Sequence, residues 1–395
     1  MDYRFDIRKA AKTIAEIVRH LMTKSFLNSR KHFRRIVFGK LCLLSLLASV
    51  VAFPNAKDDG LVLSQPLTIA WRYQSDRTTD LTPAADDKTA FIPLGSGLLL
   101  ALNAADGKLQ WKAETGGEFS AAPVVDDRSV YIATQYPEPD EKHLHGTVRA
   151  ISKRTGVTLW MRTLPAPLAG GLVANELGVF GGSRDGHVYA FDKRTGLSFW
   201  GNQYAEQFSG QPLIAGNAVY FGSSVGTVRA LDVKTGNVLW QYKARGPIQG
   251  IAIKDNIVYF GSADTNVYAF SEIRHKLVWH RRTGAAVQAV TATNDGLLAS
   301  SLDNFAYFLS LNKGSLVWRR QLPGRISARP LTSADGALFT PFSTDSAIVL
   351  NLHDGKSANT LPLGEENSSA AAPISIDKLV LITTPHGLLA FSGPR

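Results

Sequence analysis

The 395-residue sequence has a single cysteine, Cys42. One cysteine cannot form an intrachain disulfide, and the rest of the chain offers no cysteine ligand for a metal site. Cys42 lies in an apolar run and follows Phe38-Gly39-Lys40-Leu41, which lacks the small residues found before a lipidated cysteine. We therefore interpret Cys42 as an apolar side chain of that run.

Outside its first 40 residues the sequence has almost no net charge. The formal charge is +10, but residues 1–40 hold 11 Lys/Arg and 3 Asp/Glu, which leaves 32 basic and 30 acidic residues in the remaining 355. Nucleic-acid binding depends on a surface that neutralises phosphates. The nearly neutral bulk of the chain therefore predicts no nucleic-acid partner.

Long apolar runs are also rare, and the sequence contains one of note. A basic flank beginning at Arg30 precedes the uncharged stretch Leu41–Phe53, and residues 36–53 are just long enough to span a membrane. The positive flank places the amino terminus in the cytoplasm, so the run predicts export of everything after it. It is either an uncleaved signal-anchor, which we favour, or a signal peptide cleaved after Ala52 or Ala56.

Residues 1–35 form a basic segment whose apolar residues recur at helical spacing, at Ile7, Ala10, Ile14, Ile17 and Leu21. This periodicity predicts an amphipathic helix on the cytoplasmic side, lying on the anionic leaflet or against a partner. A start at Met22 instead of Met1 is the alternative. Residues 54–66 are then expected to be a linker.

After residue 66 the helical spacing disappears and a repeat takes its place. Seven tryptophans mark it, with gaps of 40, 49, 40, 40, 39 and 39 residues: Trp71, Trp111, Trp160, Trp200, Trp240, Trp279 and Trp318. A period near 40 with several short alternating strands per unit is typical of a propeller blade. A further unit, Ser346–Leu363, has Asn359 at the tryptophan position.

The stretch Gly226–Lys243 shows the outer half of the unit most clearly. Its two halves alternate with period two around Lys234-Thr235-Gly236, which indicates a hairpin. Glycine supplies the left-handed conformation of a tight turn, and Asp232 can accept hydrogen bonds from the turn's own amides. Asp192 and Gly196 occupy the same positions in the preceding unit.

The units add up to an all-β, eight-bladed propeller of four-stranded blades over residues 67–395. The last unit, residues 370–391, lacks its final strand, whereas Leu67–Gln74 precedes the first complete unit as an orphan strand. We expect this amino-terminal strand to complete the last blade. Such closure removes the free edges at the seam of the ring.

Two segments, Ala190–Trp200 and Ala230–Trp240, both fit Ala-x-Asp-x-x-Thr-Gly-x-x-x-Trp, and Ala150–Trp160 differs only at Ser152. This motif resembles the tryptophan-docking repeat of quinoprotein-like (PQQ-repeat) propellers. Within that superfamily, the export signal and the absence of added domains are most similar to the BamB family of the outer-membrane β-barrel assembly machinery. The sequence departs from the family at Arg274-His275, at Phe308 and in lacking a lipid-anchoring cysteine.

The repeat residues themselves are expected to be structural. A tryptophan on an outer strand can pack against the neighbouring blade and bury about 150–250 Å². The Asp and Gly of each turn fix a hairpin. Function is therefore expected in the loops that interrupt the repeat.

The widest gap between tryptophans localises an insertion, residues 134–145, between the second and third strands of unit two. By strand alternation, these loops share one face of the ring with the connections between blades. The residues predicted to form a partner-binding face there are Asp140, Glu141, His143, His145, Arg184, Arg245, Arg281, Arg282, Arg325 and Arg329. Arginine suits carboxylates or the polar backbone of a partner.

Three functions are compatible with this sequence. The favoured one is a non-catalytic exported scaffold that binds envelope proteins, with no cofactor and no small-molecule substrate. The resemblance also allows a PQQ-dependent dehydrogenase, but the repeat leaves little room for a cofactor chamber, and the His143/His145 pair is a weak metal motif. The third is a ligand-sensing periplasmic propeller that signals through the amino-terminal helix.

Overall fold

The computed structural model describes residues 60–137, 144–364 and 368–394. In these residues thirty-two strands form eight blades of four antiparallel strands, which confirms the eight-bladed propeller predicted from the repeat. The innermost strands of the second and third blades are also joined by a short parallel pairing, Gly170 with Ala121 and Gly171 with Ala122. The predicted amphipathic helix and the apolar segment 36–53 lie outside the described residues. Strands are numbered in chain order, and within a blade the first strand is innermost and the last is outermost.

Blades 1 to 4 follow one another along the chain. Blade 1 also contains a 3-10 turn, Gly95–Gly97. Their strands are β2 (Ala84–Ala85), β3 (Thr89–Leu94), β4 (Leu98–Asn103), β5 (Leu109–Glu114); β6 (Glu118–Val125), β7 (Ser129–Pro137), β8 (Leu144–Ser152), β9 (Thr158–Leu164); β10 (Leu168–Ala174), β11 (Gly178–Ser183), β12 (His187–Asp192), β13 (Ser198–Gln203); β14 (Leu213–Ala215), β15 (Ala218–Gly222), β16 (Thr227–Asp232) and β17 (Val238–Lys243).

Blades 5 to 8 complete the ring. Their strands are β18 (Ile248–Lys254), β19 (Ile257–Ser262), β20 (Asn266–Ser271), β21 (Lys276–Arg282); β22 (Val287–Ala292), β23 (Leu297–Ser301), β24 (Phe305–Leu309), β25 (Leu316–Gln321); β26 (Leu331–Thr332), β27 (Gly336–Phe339), β28 (Ser346–Asn351), β29 (Ser357–Pro362); and β30 (Ile374–Ile376), β31 (Leu379–Thr384), β32 (Gly387–Ser392) with β1 (Thr68–Gln74).

The ring is closed by its amino-terminal strand. β1 pairs antiparallel with β32, with Thr68 opposite Ser392 and Trp71 opposite Ala390, so blade 8 has the order β1-β32-β31-β30. This confirms the closure predicted from the orphan strand. Because both ends of the propeller belong to one sheet, opening the ring requires breaking that sheet.

The two faces of the disc carry different loops. The turns between first and second strands and between third and fourth strands share one face, called here the turn face. The turns between second and third strands share the other with the connections that lead into the next blade, and it is called the connection face. The core lies between blades; Tyr220 and Val228 of blade 4, for example, pack with Phe260 and Phe270 of blade 5.

Each outer tryptophan rests on a turn of the next blade. The Trp200 indole N–H donates to the Val233 carbonyl at 3.0 Å. Gly236, with a φ of +72°, lies directly beneath the ring. A Cβ at this position would come within 2.7 Å of the indole, so the turn requires glycine here. Five more indoles make the same bond, in the pairs Trp71 with Ala104, Trp111 with Lys153, Trp160 with Lys193, Trp279 with Leu311 and Trp318 with Leu352.

Two junctions differ from this arrangement. Trp240 faces the turn that contains His275 instead of glycine; within the described residues its indole N–H has no acceptor, and its ring lies 4.6 Å from Phe270. Asn359 replaces the tryptophan at blade 7, where its amide donates to the carbonyls of Leu63 (3.1 Å) and Gln65 (2.6 Å). Blade 8 has no turn between its third and fourth strands, since its fourth strand is β1, and the segment before β1 occupies that place.

Candidate protein-interaction face

A carboxylate ties two loops of the connection face together in blade 5. Asp264 accepts hydrogen bonds from the Tyr268 hydroxyl at 2.6 Å and from the Arg245 backbone N–H at 3.0 Å. Burial raises the pKa of the Asp264 carboxyl, but these hydrogen bonds outweigh it and hold the pKa below its usual value. Asp264 thereby fixes the connection that carries Arg245.

The neighbouring blades repeat this arrangement with variations. Asp303 accepts from the Tyr307 hydroxyl at 2.6 Å and from the Gly284 N–H at 2.9 Å in blade 6. In blade 3 the Asp185 carboxylate bonds the His187 ring at 2.8 Å. These aspartates therefore hold the loops of the face in place rather than project from it.

Blade 4 uses a different pair, which the repeat did not reveal. The buried Glu206 carboxylate accepts from the Ser223 and Thr227 hydroxyls, both at 2.9 Å, and forms an ion pair with Arg229. The Arg229 guanidinium also lies 4.2 Å from the centre of the Tyr204 ring. The sequence does contain a signal for this pair. A glutamate, Glu206, stands in the connection before blade 4, and Arg229 takes the third-strand position that is tyrosine in blades 3, 5 and 6. The signal becomes visible when the blades are aligned by structure.

Three of the predicted arginines project from loops of the connection face. Arg184, Arg245 and Arg325 are all exposed. Arg184 contacts the Gln135 side chain at 3.4 Å, and the Arg325 carbonyl accepts the Phe342 N–H at 2.8 Å. These three side chains are cations on loops whose backbones are fixed.

The other arginines are placed differently from the prediction. Arg281 and Arg282 are the last residues of the outer strand β21, so their assignment to a connection between blades was wrong. Arg329 does lie in a connection, but its guanidinium donates to the Thr291 hydroxyl at 3.3 Å in the innermost strand β22. Desolvation by the surrounding protein lowers the pKa of Arg329, although part of the residue is exposed to solvent.

The insertion of blade 2 extends a hairpin instead of forming one long loop. β7 and β8 each reach nine residues, so only residues 138–143 lie between them, and the assignment of all of 134–145 to a loop was wrong. His145 belongs to β8 and stacks on Tyr136, with ring centres 5.4 Å apart. Asp140, Glu141 and His143 lie outside the described residues.

Within the described residues, no group of three or more His, Asp or Glu side chains could hold a metal ion. The described residues line a cleft of about 710 Å³ beside Pro323 and Asp345, and another of about 450 Å³ beside Asp86 and Lys153. The described part of the chain contains no helix long and apolar enough to cross a membrane.

A family model described as the outer membrane protein assembly factor BamB matches residues 58–143, 144–271 and 243–392. These matches cover most of the chain and the whole of the propeller. The chain belongs to the BamB family.

A BamB from Shewanella oneidensis is 38% identical over 103 residues, which is 25% of this chain and 24% of that protein. The crystal structure of BamB from Moraxella catarrhalis has the same fold, with a TM-score of 0.71 and 17% identity over 84% of this chain and 98% of that one. The quinohemoprotein alcohol dehydrogenase from Comamonas testosteroni also shares the fold, with a TM-score of 0.66 and 10% identity over 84% and 77% of the two chains.

Proposed function

We propose that this chain is a non-catalytic, exported scaffold that mediates protein-protein interactions in the bacterial cell envelope, with a BamB-like role in outer-membrane protein assembly. Membership of the BamB family over residues 58–392 carries this proposal. Its partners are envelope proteins, held within a multi-protein assembly. No nucleic acid takes part, since the chain beyond residue 40 is nearly neutral.

The geometry of the connection face supports protein binding. Arg184, Arg245 and Arg325 are exposed, and their loops are fixed by hydrogen bonds. Fixed loops lose little conformational freedom on binding, which favours affinity. The guanidinium group offers paired donors to a carboxylate of the partner. We therefore infer that this face receives an acidic or backbone-rich surface of an envelope protein.

We also propose that the propeller is periplasmic and is tethered to the inner membrane by residues 36–53. The alternative is a cleaved protein that is soluble or associated with the outer membrane. Amino-terminal sequencing of the mature protein distinguishes them, because a sequence beginning after Ala52 or Ala56 rules out the tether.

The scaffold proposal is tested by purifying the protein from its native envelope and identifying what co-purifies. We expect components of the barrel-assembly machinery to be recovered. A triple variant, Arg184→Glu, Arg245→Glu and Arg325→Glu, should lose them. The matched control reverses three exposed charges on outer strands, with Arg72→Glu, Lys112→Glu and Arg319→Glu, and should retain them.

Recovery of a different complex would overturn the barrel-assembly role and leave the scaffold. Equal losses from both triple variants would rule out the connection face as the binding surface. Unfolding midpoints of both variants, measured in urea, establish that any loss is one of binding rather than folding.

A PQQ-dependent dehydrogenase is the second candidate, because the fold is shared with a quinohemoprotein alcohol dehydrogenase. This candidate predicts stoichiometric uptake of pyrroloquinoline quinone and calcium-dependent oxidation of alcohols or sugars. Detection of both would replace the scaffold proposal.

A further inference from the structure

The exposed apolar side chains are concentrated on one side of the disc. In the described residues, all but four of the exposed large hydrophobic side chains lie on the turn face, on the segment before β1, or on the half of an outer strand next to that face. The four exceptions are Leu144, Met161, Val225 and Phe342. The concentration of exposed apolar side chains on one side of the disc favours an interaction surface there.

A repeated β-bulge turns some of these side chains outward. In each outer hairpin, the residue before the tryptophan position is skipped in the pairing; Ala230 lies opposite Trp240, and Leu231 lies opposite Val238. A bulge leaves its extra residue unpaired and re-aims its side chain. In blades 2 to 6 that residue is apolar and exposed: Leu159, Phe199, Leu239, Val278 and Val317.

Exposure is greatest near the tips of the turns. Ile273 is 77% exposed, Val157 62% and Leu197 61%, and all three lie in or directly after a turn between the third and fourth strands. The bulge residues farther along the outer strands are less exposed, ranging from Val278 at 38% to Leu159 at 56%. The apolar surface therefore faces outward from the turn face more than sideways from the rim.

The turn between the third and fourth strands presents an exposed cation in each of blades 2 to 6. These residues are Arg154, Arg194, Lys234, Arg274 and Lys313. The carboxylates of two of these turns are engaged locally, because Asp192 and Asp232 each accept hydrogen bonds from backbone amides of their own turn. In blades 2, 3 and 5 the turn therefore combines an exposed apolar side chain with a cation, a combination suited to the interface of an anionic bilayer.

The chain also enters the propeller at this face. The N–H groups of Leu63 and Ser64 donate to the Asp335 carboxylate, at 3.1 and 2.7 Å, in the turn between β26 and β27. The segment directly before β1 is therefore held on the turn face.

We propose that the turn face of blades 2 to 6 lies on an anionic lipid bilayer, with Ile273, Val157 and Leu197 in the interfacial region and the turn cations at the lipid phosphates. The turns of five successive blades all carry an exposed cation, three of them also carry an exposed apolar residue, and a planar surface can contact turns that share one face of the disc. The connection face is then directed away from the membrane and remains open to proteins.

The test uses the full chain, with Cys42→Ala as background, reconstituted in vesicles of phosphatidylethanolamine and phosphatidylglycerol. A single cysteine, Ile273→Cys or Leu197→Cys, carries an environment-sensitive fluorophore. The matched control is Val225→Cys, which is 47% exposed on the connection face. We expect emission from positions 273 and 197 to shift to the blue and to be quenched by nitroxide-labelled lipids, with position 225 unaffected.

Equal quenching at positions 273 and 225 overturns the proposal. A second outcome also overturns the proposal. If the probes are not quenched in pure lipid vesicles but shift to the blue in native envelope membranes, the turn face binds a protein of the envelope and not the lipid. With the probe at Leu197→Cys, adding Arg154→Glu and Arg274→Glu should reduce the quenching. Circular dichroism of each variant establishes that the propeller is folded. The co-purification test of the connection face is independent of this result.

Discussion

The Trp200 indole N–H donates to the Val233 carbonyl at 3.0 Å, across the boundary between blades 3 and 4. At the next boundary, Trp240 makes no such bond within the described residues, although its repeat is the most regular of all. The difference arises in the following blade, where His275 takes the place of the turn glycine. The role of a repeat residue therefore depends on its neighbour's sequence.

Replacement of Trp200 by phenylalanine should destabilise the protein more than the same change at Trp240. Trp200→Phe leaves the buried Val233 carbonyl without its donor, which costs about 1–3 kcal/mol in addition to lost packing. Trp240→Phe loses packing alone and is the matched control. Urea unfolding of both variants measures the difference; equal losses would mean that the indole hydrogen bond contributes nothing.

Replacement of Thr265 by glycine should stabilise the protein. Thr265 has a φ of 72°, a left-handed conformation that is costly for a β-branched residue. Glycine removes this strain but increases the entropy of the unfolded chain, so we expect a net gain of about 1 kcal/mol. The control is Asn304→Gly at the same turn position of blade 6, with a φ of 69°. Asparagine tolerates this conformation, so its midpoint in urea should barely change.

The buried pair of Glu206 and Arg229 should show strong coupling. Arg229→Met leaves the Glu206 carboxylate buried without a cation, which costs about 3–5 kcal/mol. Adding Glu206→Gln removes the charge and keeps an acceptor for Ser223 and Thr227, so the double variant should be more stable than Arg229→Met alone. A double-mutant cycle in urea tests this, and additive effects would contradict it.

Stability should fall in acid partly through Asp126. Burial raises the pKa of this carboxyl, but hydrogen bonds from the Arg128 N–H, Lys193 and Tyr131 outweigh it and lower the pKa below 3.8. The unfolded state therefore binds the proton more readily, and the contribution is present above pH 3.8 and lost as the pH falls through the folded value. In urea titrations from pH 6 to pH 2, Asp126→Asn should lose less stability than the wild type. Asp127→Asn, which removes the neighbouring exposed carboxylate, is the matched control.

Introducing the repeat's own tryptophan at Asn359 should destabilise the protein. The Asn359 amide satisfies the carbonyls of Leu63 and Gln65, whereas an indole has one donor and no turn to rest on. We expect Asn359→Trp to cost about 1–3 kcal/mol by leaving a carbonyl unsatisfied. Asn359→Ala, which removes both donors without adding bulk, is the comparison. A stabilised Asn359→Trp would show that the segment before β1 is not part of the junction.

The sequence predicted the fold well because its signals are local. Period-two alternation, the turn motif of Asp232, Thr235 and Gly236, and the tryptophan spacing each depend on residues within one unit. The interaction face was predicted less well. Strand alternation predicts which loops share a face, but it does not predict where each side chain of those loops lies. Arg281 and Arg282 were therefore misplaced by a few residues, and the Glu206–Arg229 pair was not found.

The sequence by itself determined the eight blades and the closure by β1, because each blade repeats the same short-range pattern and the missing strand can be counted. Only the tertiary structure decided what each repeated residue contacts. Trp200 finds a carbonyl, Trp240 does not, and Asn359 binds the segment before β1, since these contacts cross from one blade to the next. Tertiary structure likewise placed the exposed apolar residues of five blades on one side of the disc, because residues some 40 positions apart share a face only when the ring forms.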